Sequence, residues 1–194
     1  MRQMSESATN GVRYTSEQYF RLAEKGIIDP DERVELLEGL IVTTSPHSPR
    51  HASATTRVYE TLRRAVAGRA VIRVQLPLVC GTHSAPEPDI AVVSGTPADY
   101  DLEHPQAALL VVEIADSSLL EDRLTKAHIY AAASVPEYWI VNLRADLVEV
   151  FRTPDSTRGG YQERRAAEWG DELDLLTFPQ ARVSVTELLP RGRK

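Results

Sequence analysis

An α/β domain built on a mixed β-sheet is the fold class this 194-residue sequence predicts, and three observations lead there. Two runs, PDIAVV (88–93) and ALLVVEIA (108–115), are nearly continuous in apolar residues, the pattern of central strands buried on both faces. The helical segment that starts near Ser118 separates the second run from another apolar strand, EYWIVNL (137–143), which gives a strand–helix–strand order. Ahead of them, RVELLEGLIVTTS (33–45) reads as two strands around a Glu38-Gly39 turn, because glycine accepts the positive φ of a tight hairpin.

In chain order, residues 1–13 are polar and read as a flexible N-terminal tail, with one domain expected over 14–190. TSEQYFRLAEKG is a short helix: Thr15 caps it, Glu17 and Gln18 fall in its first turn, and Gly26 stops it. The hairpin follows, with Glu35 in the middle of its first strand. After the loop PHSPRH, the run ASATTRVYETLRRAVAG places Val58, Leu62, Ala65 and Val66 on one face of a helix ended by Gly68. AVIRVQLPLVC (70–80) then reads as an extended, partly alternating strand with Gln75 in its middle. Ser118 to Glu121 matches a capping box for a helix running to about Ala133, with Pro136 as punctuation. The remainder, from LVEVFRTP to RVSVTELLP, alternates strand-like pieces with turns and predicts antiparallel edge strands and one short terminal helix.

Composition narrows the functional classes. The hydrophobic content of 42% is that of a globular domain, and no apolar run reaches the 18 or so residues that span a bilayer, so a soluble protein with no membrane partner is expected. A single cysteine, Cys80, cannot form an internal disulfide and points to a cytoplasmic setting. The net charge of −6 opposes non-specific nucleic-acid binding, although Arg57, Arg63, Arg64, Arg69 and Arg73 gather locally. His47, His83, His104, His128 and Cys80 show no zinc-ligand spacing, and no glycine-rich phosphate loop is present.

Asp89 opens one buried strand and Glu113 lies near the end of the next. Two carboxylates about 4 Å apart repel by roughly 4 kcal/mol at an effective dielectric near 20, so converging them calls for a shared proton or a bound cation. Such a pair otherwise belongs to ion pairs or to solvent. All-oxygen ligands suit Mg²⁺, which can hold a phosphate oxygen and activate water together. On the following helix Asp122, Lys126 and Tyr130 share one stripe at i, i+4 spacing, so Lys126 either stabilises charge developing at a site or forms a surface pair with Asp122 worth about 0.3–0.5 kcal/mol. Tyr138 and Trp139 sit within an apolar strand and read as core rather than as a stacking platform.

The strings VELLEG, PDIAVV, VVEIADSS, D-x3-K-x3-Y over Asp122 to Tyr130, and VPEYWIVN together resemble the Uma-type putative restriction endonuclease family, a branch of the PD-(D/E)XK nuclease superfamily, over roughly residues 14–153. The resemblance implies a restriction-endonuclease-like core, a mixed sheet flanked by helices with an N-terminal β-hairpin. It also implies Mg²⁺-dependent cleavage of DNA, with Mn²⁺ able to substitute. Carried over by motif, Glu35, Asp89 and Glu113 match the acidic residues and Lys126 the helix lysine; Asp89, Glu113, Glu35 and the Ile114 carbonyl are the implied metal ligands. His51 matches a histidine position of the family, and Gln75 is a further candidate for the metal's surroundings. A homodimer is expected, since cutting a duplex needs two sites. The sequence departs from the superfamily signature at Ala115, where lysine is usual, so Lys126 is expected to replace it from the helix. A domain that kept the fold and lost the chemistry, acting as a nucleic-acid-binding or protein-interaction module, is the alternative.

Overall fold

The computed structural model describes residues 13–29 and 31–191. Of the expected tail only Arg13 is among them, and its guanidinium donates to the Glu38 carbonyl; residues 1–12 lie outside the described part.

Helix α1 (Ser16–Glu24) starts as its sequence predicts: Thr15 accepts from the Gln18 N–H while the Gln18 side chain accepts from the Thr15 N–H. Strands β1 (Val34–Leu37) and β2 (Leu40–Thr43) form the hairpin, with Glu38 and Gly39 both at positive φ. Helix α2 (Pro49–Val66) begins earlier than its hydrophobic pattern suggests. Ser48 caps it and Pro49 occupies its first turn, so His51 stands inside the helix rather than ahead of it.

The main sheet has six strands in the order β3-β4-β5-β6-β7-β8. They are β3 (Val71–Val74), β4 (Ile90–Val93), β5 (Leu110–Ala115), β6 (Glu137–Asn142), β7 (Leu147–Asp155) and β8 (Gly160–Glu168). Only β5 and β6 run parallel. The chain between them supplies the crossover that a parallel pair requires: α3 (Leu119–Glu121), a π-helical turn (Asp122–Lys126) and α4 (Ala127–Ala132). A second strand pair, β9 (Glu172–Asp174) with β10 (Arg182–Ser184), and the short α5 (Val185–Leu188) close the fold.

Alternation along β5 sets the two layers. Leu110, Val112 and Ile114 face the core under α2 and α5 with Val58, Leu62 and Trp139. Val111 and Ala115 face the other core, under α4, with Tyr130 and Tyr138. Glu113 points to that second side, a buried carboxylate in a layer of apolar residues. Tyr138 and Trp139 are fully buried, so neither is available for stacking on a base.

Two further local expectations fail. Gln75 has φ of 50° and leaves β3 instead of standing within a longer strand. Ser118 makes no side-chain cap; its hydroxyl donates to Asp122 Oδ2 at 2.7 Å.

Candidate active site

The elements converge on one cavity of about 420 Å³ at the end of the sheet where β4 starts and β5 finishes. Glu35, Asp89, Glu113, Ile114 and Lys126 all line it, so every residue singled out for catalysis or metal binding meets in one place. Each arrives from a different element: Glu35 from β1, Asp89 from the residue before β4, Glu113 and Ile114 from β5, Lys126 from the π-turn.

The two central carboxylates are tied by the backbone they stand on. Asp89 N–H donates to Glu113 Oε2 at 3.4 Å, and Ile114 N–H donates to Asp89 Oδ2 at 2.9 Å. The β4–β5 register, continued one step past Ile90 and Val112, sets Asp89 opposite Glu113. One step further it sets Pro88 opposite Ile114, and proline has no N–H to offer the Ile114 carbonyl. The N–H and carbonyl of one strand residue point the same way, so that carbonyl is directed to the Asp89 side without a ladder partner from Pro88.

Lys126 is buried and spans two acids. Its ammonium lies 3.1 Å from Glu113 Oε1 and 3.2 Å from Glu35 Oε1. The surface pair with Asp122 does not form; Asp122 is itself buried and takes the Ser118 hydroxyl. The Tyr130 hydroxyl donates to the same Glu113 oxygen at 2.6 Å, and Glu35 Oε2 accepts from the Glu87 N–H at 3.1 Å. The π-turn inserts extra backbone immediately before α4, a device frequent at functional sites.

Electrostatics follow from this burial. Desolvation pushes the Glu113 carboxyl up to about 8, with the nearby ammonium of Lys126 holding it back and Asp122, Asp89 and Glu35 adding to the rise. Burial alone would lower the Lys126 ammonium, but the carboxylates of Glu113, Glu35 and Asp122 carry it above the usual lysine range, so it stays charged. Asp89 is held below its usual range: burial works against it, and the hydrogen bonds and charge of His51, with Gln75 and the Ile114 N–H, more than compensate.

The sequence misses one participant. His47, in the loop before α2, lies beside His51 with ring centroids 4.0 Å apart. His51 Nε2 is 3.0 Å from Asp89 Oδ2, and Gln75 Nε2 donates to Asp89 Oδ1 at 3.1 Å while also reaching His47 Nε2 at 3.1 Å. The His47-x3-His51 spacing was the available signal, but its meaning depends on Asp89, 38 residues beyond His51. The predicted arginine gathering does not reach the cavity. Arg63 pairs with Glu60, Arg64 with Glu187, and Arg69 lies over the Phe178 ring, whereas Arg33 and Lys126 are the basic residues that line it.

The oxygen donors fit a hard divalent cation: two buried carboxylates on opposed backbone positions, one carbonyl, and a third acid held by a lysine. Among the described residues no helix is long and apolar enough to cross a membrane. No curated protein matches the chain. Among solved structures it is similar to one described as a putative nuclease belonging to DUF820 from Anabaena variabilis, at 18% identity and a TM-score of 0.69, covering 90% of this chain and 96% of the other. That likeness shows that the two chains share a fold. The family model described as "Uma2: Putative restriction endonuclease" matches residues 16–186, nearly the whole chain, and the protein therefore belongs to the Uma2 family.

Proposed function

We propose that the chain is a Mg²⁺-dependent endonuclease that hydrolyses phosphodiester bonds of DNA, with Mn²⁺ able to replace Mg²⁺. One observation carries this reading: Asp89 and Glu113 stand side by side at the end of adjacent strands, in the cavity that also receives Glu35 and Lys126. Asp89, Glu113 and the Ile114 carbonyl would hold the ion, with Glu35 as a further oxygen ligand. Bound there, Mg²⁺ supplies Lewis-acid polarisation of a phosphate oxygen and lowers the pKa of water.

The chain's own groups have defined tasks. Lys126 stays protonated, so it serves as a fixed positive charge for the negative charge that builds on the phosphate, and as a donor that orients the attacking water. Its position on the helix substitutes for the lysine missing at Ala115. Ala115 is packed against α4 on the same side of β5 as Glu113, and the Lys126 side chain comes from that helical layer to the same carboxylate. Glu35 holds the Lys126 ammonium from the other side and keeps it directed into the cavity. Tyr130 fixes the Glu113 carboxylate. Cleavage of both strands of a duplex needs two such sites, so we read the working form as a homodimer. A cytoplasmic setting suits the lone, buried Cys80.

The test is direct incubation of purified protein with supercoiled plasmid, linear duplex, single-stranded DNA and RNA, in Mg²⁺, Mn²⁺ or chelator. The expected outcome is nicking and linearisation of plasmid with either ion, and none in chelator or with a folded Asp89→Ala variant. A folded, metal-loaded protein that leaves every substrate intact refutes the assignment and makes the chain a binding module.

A further inference from the structure

The buried polar network on the other side of Asp89 has a proton-accounting problem. Arg33 and Gln75 both approach His47 Nε2, and an arginine can only donate, so that nitrogen presents its lone pair and the neutral ring keeps its proton on Nδ1. His47 Nδ1 lies 3.2 Å from His51 Nε2. The Thr55 hydroxyl donates to the His51 carbonyl at 3.0 Å and is left to accept from His51 Nδ1 at 3.4 Å, which again leaves a lone pair on His51 Nε2. That lone pair faces Asp89 Oδ2 at 3.0 Å, an atom that already accepts from the Ile114 N–H. Placing a proton on His51 Nε2 satisfies Asp89 but sets it against the proton on His47 Nδ1. Flipping the Gln75 amide brings oxygen against Asp89 Oδ1 instead. With Asp89 ionised, every such assignment leaves two like groups facing each other.

A cation would turn the facing lone pairs of His51 Nε2 and Asp89 Oδ2 into ligands, and His47 would join through Nδ1 with its proton moved to Nε2 and the Arg33 guanidinium turned away. One ligating atom from each of His47, His51 and Asp89 lies within 4.8 Å of the others. The 3.0 and 3.2 Å separations match the roughly 2.9–3.4 Å between neighbouring ligands around an ion held at about 2.0–2.1 Å. The surroundings are built for this. Ser48 fixes the turn that carries His51, its oxygen accepting from the His51 N–H at 3.2 Å and donating to Asp116 at 2.8 Å. Gln75 adopts φ of 50°, a left-handed conformation unfavourable for a non-glycine residue, which brings its amide between His47 and Asp89.

We propose that His47, His51 and Asp89 form a second metal position, nitrogen-rich and selective for a transition-metal dication such as Zn²⁺ over Mg²⁺, sharing Asp89 with the oxygen site. Imidazole nitrogen suits zinc and related ions, whereas Mg²⁺ takes oxygen. Glu113 takes no part in this position, so the proposal stands beside the nuclease reading through Asp89 and can be tested apart from it.

The experiment measures Zn²⁺ affinity by chelator competition in excess Mg²⁺, together with zinc-edge X-ray absorption of the full-length wild-type protein. Expected are two imidazoles in the absorption spectrum, Zn²⁺ affinity retained in Glu113→Gln, and affinity lowered about 100-fold or more in His47→Ala and His51→Ala. A spectrum with oxygen ligands alone, affinity unchanged in folded histidine variants, or affinity lost only with Glu113→Gln overturns the proposal. The wild-type spectrum decides even where a histidine variant does not fold. A protein that binds Zn²⁺ through imidazoles yet cuts no nucleic acid keeps this site and loses the nuclease reading; one that cuts DNA without imidazole-bound Zn²⁺ does the reverse.

Discussion

Replacing Lys126 by methionine removes the ammonium that bridges Glu35 and Glu113 while keeping the length of the stem, and the structure allows its effect to be sized. At 3.1 and 3.2 Å, and with an effective dielectric near 20, each contact is worth about 5 kcal/mol of attraction before desolvation is counted. Taking the three charges out of water cancels most of that, so the net cost of removing one partner is the roughly 3–5 kcal/mol seen when a buried ion pair is broken. Protonation of Glu113, whose pKa is already near 8, limits the loss. Lys126→Met should therefore lower stability by about 3 kcal/mol, the low end of that range, at pH 7 in chelator, where Glu113 is largely protonated. Adding Mn²⁺ should restore more stability to the variant than to the wild type, because the ion replaces a missing charge; saturation at 100 times Kd contributes about 2.7 kcal/mol. The double variant Glu113→Gln/Lys126→Met should be more stable than Lys126→Met alone. Urea unfolding followed through the fluorescence of the fully buried Trp139 reads all of these. A loss below about 1 kcal/mol, or no extra rescue by Mn²⁺, would refute the view that Lys126 neutralises a buried acidic pair.

Two further outcomes follow from the same geometry. Glu113 has its folded pKa raised to about 8, so the folded state holds a proton that the unfolded chain has released, and metal-free stability should fall as pH rises from 6.5 to 8, by up to about 1.4 kcal/mol per pH unit; Glu113→Gln should flatten that slope in thermal unfolding. Glu149, buried on β7 and bonded to Arg123, Arg164 and Asn142, lies outside the cavity, so Glu149→Ala should cost about 1–3 kcal/mol, mainly by stranding the Asn142 amide, and leave cleavage below the melting temperature unchanged in a gel assay.

Much of the fold is legible because its signals are local. The Glu38-Gly39 turn, the Thr15 cap and the apolar runs of β4, β5 and β6 each carry their structural meaning within a few residues. Asp89 and Glu113 could be paired from sequence because both stand on such runs, and the strand–helix–strand order makes the parallel β5–β6 pair a natural consequence. What escaped depends on contacts distant in the chain. Lys126 shares a helical stripe with Asp122, yet its partners are Glu35 and Glu113, and only packing of the π-turn against the sheet brings them within reach. Ser118 is a local exception: it has the pattern of a cap, but its hydroxyl is taken by Asp122 four residues on. Gln75 lies in an extended-looking run, and its left-handed backbone is imposed by bonds from its N–H to the carbonyls of Pro88 and Asp89. His47 has no meaning as a ligand until Asp89 and His51 are next to it.

Diffraction from crystals of the protein soaked in Mn²⁺, with an anomalous map, locates the ion relative to Asp89 and Glu113. Expected is a peak within about 2.2 Å of one oxygen each from Asp89 and Glu113, with the Ile114 carbonyl completing the protein ligands and the Lys126 ammonium displaced from its contact with Glu113. Anomalous density confined to the histidine side of Asp89, or none at full Mn²⁺ saturation while Lys126 still bridges Glu35 and Glu113, would contradict it.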